Sequence, residues 1–178
     1  NRGLYPHRTF AAVADYSRHP VPMWESEYLT WKLFYPTDVD IQAKRDLMLN
    51  GYYTMTNNMS GYHFEFDRGM DIMTVSTSFG GGGICLFEHP ASPDSVSRPL
   101  YSPYRKTGPM HDTRFVFDVI ASGPLRSIVR AHTLNWRTGN GDYELEQFYT
   151  AYAGQNYSPC LVKYRRFYPA NDGTAFGC

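Results

Sequence analysis

Helical periodicity, long apolar runs, net charge and paired cysteines are all scarce in this chain of 178 residues. Lys plus Arg number 17 and Asp plus Glu 17, for a formal charge of zero, which removes the electrostatic case for nucleic acid or an anionic membrane as partner. No apolar stretch approaches the roughly 18 residues that span a bilayer. The opening Asn1-Arg2-Gly3-Leu4 has neither an initiator Met nor the apolar core of a signal peptide, so a mature or trimmed product is expected. The cysteines, Cys85, Cys160 and Cys178, show no CxxC spacing, and the first two lie in apolar strand-like runs; buried thiols are favoured over a disulfide framework or a zinc site. HxH, HExxH, GxSxG and GxxxxGK[ST] patterns are absent as well, so zinc-peptidase, serine-hydrolase and phosphate-loop readings have no support.

Aromatic residues are plentiful, at 16% with 15 Tyr, whereas charged residues make up only 19%. A surface rich in Tyr, Asn, Ser and Thr suits sugars, whose CH faces stack on rings while their hydroxyls need neutral donors and acceptors.

Strand signals dominate. Residues 27–35 alternate Leu29, Trp31, Leu33 and Tyr35 with Tyr28, Thr30, Lys32 and Phe34, a pattern that predicts a strand covered on both faces. Residues 39–49 offer the one helical candidate, with Ile41, Lys44, Arg45 and Met48 at helical offsets. Residues 71–78 read as a strand that turns through Gly80–Gly83 and pairs with 84–87 as a hairpin. Residues 88–109 form a long Pro- and Ser-rich excursion. Residues 113–120, 127–136, 143–152 and 159–168 predict four more strands, separated by Ser122-Gly123-Pro124, Thr138-Gly139-Asn140-Gly141 and Ala153-Gly154-Gln155-Asn156, in an antiparallel meander. The ending, residues 172–178, reads as the start of another hairpin. The fold class expected is an all-β antiparallel sandwich with at most one short helix.

Three groupings carry candidate chemistry. The run Tyr62-His63-Phe64-Glu65-Phe66-Asp67-Arg68-Gly69-Met70-Asp71 packs a histidine, an arginine and three acids into ten residues; a proton-transfer site can be assembled from it, or it is a polar loop. By alternation Asp71 shares a buried face with Met73 and Val75, where an acid must be paired or shifted, with Arg68 available as its partner. His111-Asp112-Thr113-Arg114 enters a strand from the excursion, and Arg114 can clamp a carboxylate or form an exposed pair with Asp112. Arg130, His132, Leu134 and Trp136 share one strand face, either a sugar platform or a core edge.

The segments 22–36 (PMWESEYLTWKLFYP), 63–87 with Gly69-Met70-Asp71 and Gly80–Gly83, and Ser122-Gly123-Pro124-Leu125-Arg126 followed by 149–154 resemble a bacterial family of unknown function. Its members accompany polysaccharide-utilisation genes and resemble the galactose-mutarotase-like β-supersandwich. The resemblance implies a secreted or periplasmic protein that eliminates across a ring of an acidic, uronate-containing poly- or oligosaccharide, as a carbon–oxygen lyase or dehydratase. It also implies that residues 1–178 form one β-sandwich domain, a fragment of a longer supersandwich, because family members run roughly twice as long.

Elimination needs carboxylate neutralisation, a base and an acid. His63 is the expected base, aided by Asp67 or Asp71, with Tyr62 or Tyr53 as proton donor and His111 as a second imidazole. Trp24, Glu25, Lys44, Arg45, Arg68, Arg114, Arg130, His132 and Trp136 are the expected substrate contacts. No cofactor is expected; His63, His111, His132 and nearby acids leave a divalent metal open. Self-association through an unpaired sheet edge is open too. The alternatives are a non-catalytic carbohydrate-binding or structural sandwich, and a glycoside hydrolase using carboxylates such as Glu65 and Asp71.

Overall fold

A computed structural model describes residues 6–16, 19–34, 38–49, 69–73, 80–89, 91–92, 96–99 and 112–178. Among these residues all regular structure is β. A five-stranded sheet runs in sequence order through β1 (Thr9–Tyr16), β2 (His19–Ser26), β3 (Leu29–Phe34), β4 (Asp38–Lys44) and β5 (Gly69–Met73). A three-stranded sheet joins β6 (Cys85–Phe87), β7 (Val96–Ser97) and β12 (Ala175–Gly177). A four-stranded sheet is the meander β8 (Arg114–Ser122), β9 (Arg126–Thr138), β10 (Gly141–Tyr152) and β11 (Cys160–Pro169). Every ladder is antiparallel, as in a β-sandwich.

Cross-strand rows explain the packing. In the five-stranded sheet Ala11, Trp24, Trp31, Ile41 and Met73 stand opposite one another in turn, and the adjacent row reads Phe10, Glu25, Thr30, Gln42 and Asp71. Successive residues of a strand point to opposite faces, so one face is apolar and the other polar. The apolar face packs Ala11, Trp24, Trp31, Leu33 and Val39 against Val129, Ala131, Tyr149 and Ala151 of the four-stranded sheet. Trp24 is its centre: fully buried, stacked on Tyr149 at 4.5 Å and on Trp31 at 6.4 Å, with its Nε1 donating to Ser158 Oγ at 2.7 Å.

The long strands β9 and β10 reach past this contact to hold the three-stranded sheet, where Ile84 and Leu86 meet Trp136, Tyr143 and Leu145. Glu88, buried without a cation at hydrogen-bond distance among the described residues, ties the two sheets together by accepting from the hydroxyls of Ser97, Thr138 and Tyr143.

Three sequence expectations are corrected. The helix expected over residues 39–49 is strand β4 through Lys44. The reason is visible in its alternation: Asp38, Asp40, Gln42 and Lys44 share one face and Val39, Ile41 and Ala43 the other. The hairpin expected around Gly80–Gly83 is replaced by a crossing between sheets, since β5 pairs with β4 while β6 pairs with β7 and β12. The closing segment carries strand β12, which adds to the ladder of β6. Cys85 is a buried free thiol as expected, but Cys160 is exposed, because it opens the outermost strand of the four-stranded sheet.

Of the four register irregularities among the described residues, two move residues singled out in the sequence. In β5 the register shifts so that Met73 faces Ile41 and Asp71 faces Gln42, which moves Asp71 off the row of Met73. In β9 Thr133 pairs with Leu145 and Trp136 with Tyr143, an extra residue that coincides with the positive φ of Asn135, 53°. An inserted residue reverses the facing of everything after it, and Trp136 is accordingly turned into the core at 0% exposure.

Asn tolerates the left-handed region that β-branched residues do not. Asn135→Gly is therefore expected to leave stability within about 0.5 kcal/mol, whereas Asn135→Val is expected to cost about 1–3 kcal/mol. Denaturant midpoints of the two variants check this, and equal midpoints would remove the bulge as the device that turns Trp136 inward.

Candidate functional site

The polar face of the five-stranded sheet is buried. Glu25 and Thr30 are 0% exposed, Lys32, Asp40 and Gln42 1% each, and Asp71 7%. Charges buried to this degree must be paired, neutralised or used, and the face holds two lysines that meet different fates.

Lys44 is saturated. Its Nζ donates to Glu25 Oε2, to the Ser26 carbonyl and, at 2.7 Å, to the Met48 carbonyl, while Glu25 Oε2 also accepts from Thr30 Oγ1 at 3.1 Å. Burial lowers the Lys44 pKa against the opposing pull of Glu25. This pair locks β2 and β3 to the end of β4, and three bonds on one ammonium leave it no free donor.

Lys32 is looser. Its Nζ stands 3.8 Å from Asp40 Oδ2, too far for a hydrogen bond. Neither Asp40 oxygen and neither end of the Gln42 amide has a hydrogen-bond partner among the described residues. Burial pushes Asp40 up to about 7; Lys32 opposes the shift and Asp71 adds to it. Burial likewise brings Lys32 down to about 8, against the opposing pull of Asp40 and Asp71. Asp38, next on the face, is neutralised by Arg98 Nη1 at 3.0 Å. The result is a lysine and an aspartate, Lys32 and Asp40, both brought toward neutral pH by burial, with Asp71 beside them.

The outer face of the four-stranded sheet is charged but internally balanced. Arg130 contacts Asp118 at 2.6 Å and Glu146 at 3.1 Å, and His132 Nε2 lies 2.9 Å from Glu144 Oε1. Arg165 binds the other oxygen of Glu146, and Arg166 reaches Asp142 at 3.1 Å. Burial alone would raise the Glu146 pKa, yet Arg165, His132 and Arg130 outweigh it and hold the carboxylate below its usual range. A sugar carboxylate reaching Arg130 would compete with these acids.

Among the residues singled out in the sequence, Asp71 joins the Lys32–Asp40 cluster. Glu25 and Lys44 share its sheet face but pair with each other. Trp24 is in the inter-sheet core and Trp136 in the second core, so neither offers a ring face to a sugar. Arg45 and Arg114 are exposed, and Arg114 Nη1 donates to the Thr113 carbonyl at 3.2 Å. Arg130 and His132 lie on the balanced outer face. His63, Tyr62, Tyr53, Arg68, His111, Asp67 and Glu65 lie outside the described residues. Among the described residues no group of three or more His, Cys, Asp or Glu is arranged to hold a metal ion.

Lys32, Asp40 and Gln42 were missed. Their signal is the strict polar–apolar alternation of residues 38–44, which becomes legible once that segment is read as a strand.

The fold and this face define an antiparallel β-sandwich carrying a buried acid–lysine cluster. The chain belongs to the family described as a domain of unknown function, DUF4861, which it matches over residues 6–174. No curated protein and no solved structure matches it.

The two lysines make a stability test. Lys44→Met strands the Glu25 charge and is expected to cost about 3–5 kcal/mol. At pH 6 Lys32→Met is expected to cost less than half as much, because Asp40 there carries a proton. The pH dependence has a definite sign. Folded Asp40 keeps its proton to about pH 7, against an ordinary value of 3.8, so the folded state binds more protons between those values and stability falls as pH rises from about 4 to 7. Folded Lys32 releases its proton near 8 against 10.5, so stability recovers above about pH 8. Urea denaturation across this range is expected to show the falling limb flattened in Asp40→Asn.

Proposed function

We propose that the protein is a carbohydrate-active enzyme, secreted or periplasmic, that removes a proton from a uronate-containing poly- or oligosaccharide and eliminates across the ring, as a carbon–oxygen lyase or dehydratase. The observation that carries this reading is the pairing of Asp40 near 7 with Lys32 near 8 on one buried sheet face beside Asp71. Groups poised near the working pH are the ones that move protons efficiently in both directions. The resemblance to the galactose-mutarotase-like supersandwich, the aromatic-rich and charge-poor composition and the β-sandwich itself support the substrate class.

In this reaction the hydrogen on the carbon next to the uronate carboxylate leaves as a proton, its bonding pair forms the new C=C bond, and the β C–O bond breaks with its electrons on oxygen. Ionised Asp40 takes the proton, and protonated Lys32 returns one to the departing oxygen. Asp71 keeps the Asp40 carboxylate basic, and Gln42, with both amide ends available among the described residues, offers a donor and an acceptor to the ring. His63 and Arg68 precede β5 in the chain and remain the candidates for a second base and for carboxylate neutralisation.

The competing reading is a non-catalytic carbohydrate-binding sandwich, favoured by the 1% exposure of Lys32 and Asp40, which fits a purely structural pair. Incubation with ulvan, alginate, pectin and glycosaminoglycan oligosaccharides separates the two. Elimination is expected to give the ultraviolet absorbance of an unsaturated uronate or a mass loss of one water, with kcat/KM rising through about pH 7 and falling above about pH 8. Asp40→Asn and Lys32→Met are each expected to lower it by about 10²–10⁴-fold. Binding without either product would leave the module reading, and new reducing ends without absorbance would point to hydrolysis.

A further inference from the structure

Between the sheets lies a cavity of about 240 Å³ whose walls include Trp24, Trp31, Ile84, Val162, Phe176 and Gln147. It lies on the apolar side of the five-stranded sheet, away from the Lys32–Asp40 face. The glycine run helps to form it. Gly81, Gly82 and Gly83 line one wall, and the Gly81 amide donates to the Val39 carbonyl at 2.6 Å. A side chain on Gly81 would meet Ile41 Cδ1 at 2.4 Å, so the backbone can pack this closely on β4 only as glycine.

One wall group is unfinished. Gln147 is 0% exposed; its Nε2 donates to the Tyr149 hydroxyl, and its Oε1 is buried with no hydrogen-bond partner among the described residues. The other polar side chains of the wall are the hydroxyls of Ser158 and Tyr149 and the thiols of Cys160 and Cys178. Ser158 Oγ accepts from Trp24 Nε1 and the Tyr149 oxygen accepts from Gln147. A buried acceptor left unmade is costly, and the wall around it is mostly apolar, so a ligand with one donor and an apolar body matches it.

We propose that this cavity is a binding site for a small aromatic molecule bearing a single hydrogen-bond donor, such as a phenol or an indole, with the donor on Gln147 Oε1 and the ring among Trp24, Trp31 and Val162. A cavity of about 150 Å³ already takes benzene, so a substituted ring fits here. A sugar does not suit it, because its hydroxyls would find one open acceptor and apolar walls.

The probes are p-cresol and toluene, which differ by one hydroxyl, titrated calorimetrically into the full chain. p-Cresol is expected to bind saturably and about fivefold more tightly than toluene, the ratio one hydrogen bond supplies. Gln147→Met is expected to erase that ratio, and Val162→Phe, which fills the space, to abolish binding of both. Absence of saturable p-cresol binding, equal affinities in the parent protein, or a ratio that survives Gln147→Met would each overturn the proposal. Should Val162→Phe fail to fold, the Gln147→Met comparison decides alone. None of these outcomes depends on the elimination chemistry, whose residues lie on the opposite face.

Discussion

The five-stranded sheet is buried on both faces, one apolar and one charged, and the rest of the structure is arranged around those two unequal demands. The apolar face is satisfied by area: Trp24 and Trp31 against Tyr149, with small residues such as Ala11, Ala131 and Ala151 letting the sheets approach. Such contacts are non-directional and strong in sum. The charged face has no such latitude, because each ion taken from water needs a partner of matching geometry. Polar tethers fix the relative position of the sheets on which both faces depend. Glu27 receives Arg8 and the Gly154 amide, Ser26 donates to the Gln155 carbonyl, and Ser127 donates to Thr9.

The sequence was most legible where each strand obeys simple alternation between recognisable turns. The meander of β8 to β11 is set by Ser122-Gly123-Pro124, Thr138-Gly139-Asn140-Gly141 and Ala153-Gly154-Gln155-Asn156, which make short connections between antiparallel neighbours. Legibility failed where a second period overlapped or a residue was inserted. In residues 38–44 every second position is polar, yet Ile41, Lys44, Arg45 and Met48 also match helical offsets, and only the ladder to Leu29–Phe34 decides between them. At Asn135 and Ile72 a single extra residue reverses the facing of the residues after it, and a bulge leaves little local trace in composition. Pairing between strands far apart in the chain, such as β6 with β12, depends on contacts that no local pattern encodes.

The candidate site was less legible than the fold. Asp71 was marked as a buried acid in need of a partner, and that much is in the structure; the partners, Asp40 and Lys32, come from strands whose order in the sheet must be known first. Arginines drew attention in the sequence because they can clamp a carboxylate. On the outer face of the four-stranded sheet they are already held by Asp118, Asp142, Glu144 and Glu146. Charge counted along a sequence does not distinguish a cation awaiting a ligand from one that has an intramolecular partner.

The contrast between Lys44 and Lys32 bears most directly on the role of the polar face. Both are buried lysines on one sheet face, each beside a carboxylate, so burial alone cannot separate a structural role from a chemical one. The bonding of their carboxylates differs. The ammonium of Lys44 has three acceptors and its carboxylate has a second donor in Thr30, so moving either group would break several bonds at once. The Asp40 oxygens have no hydrogen-bond partner among the described residues and face Lys32 across 3.8 Å, with a second acid beside them. The like charge of Asp71 beside Asp40 adds to burial in raising the Asp40 pKa. Lys44 closes the corresponding distance with three hydrogen bonds a few residues away, whereas Lys32 Nζ and Asp40 Oδ2 remain 3.8 Å apart.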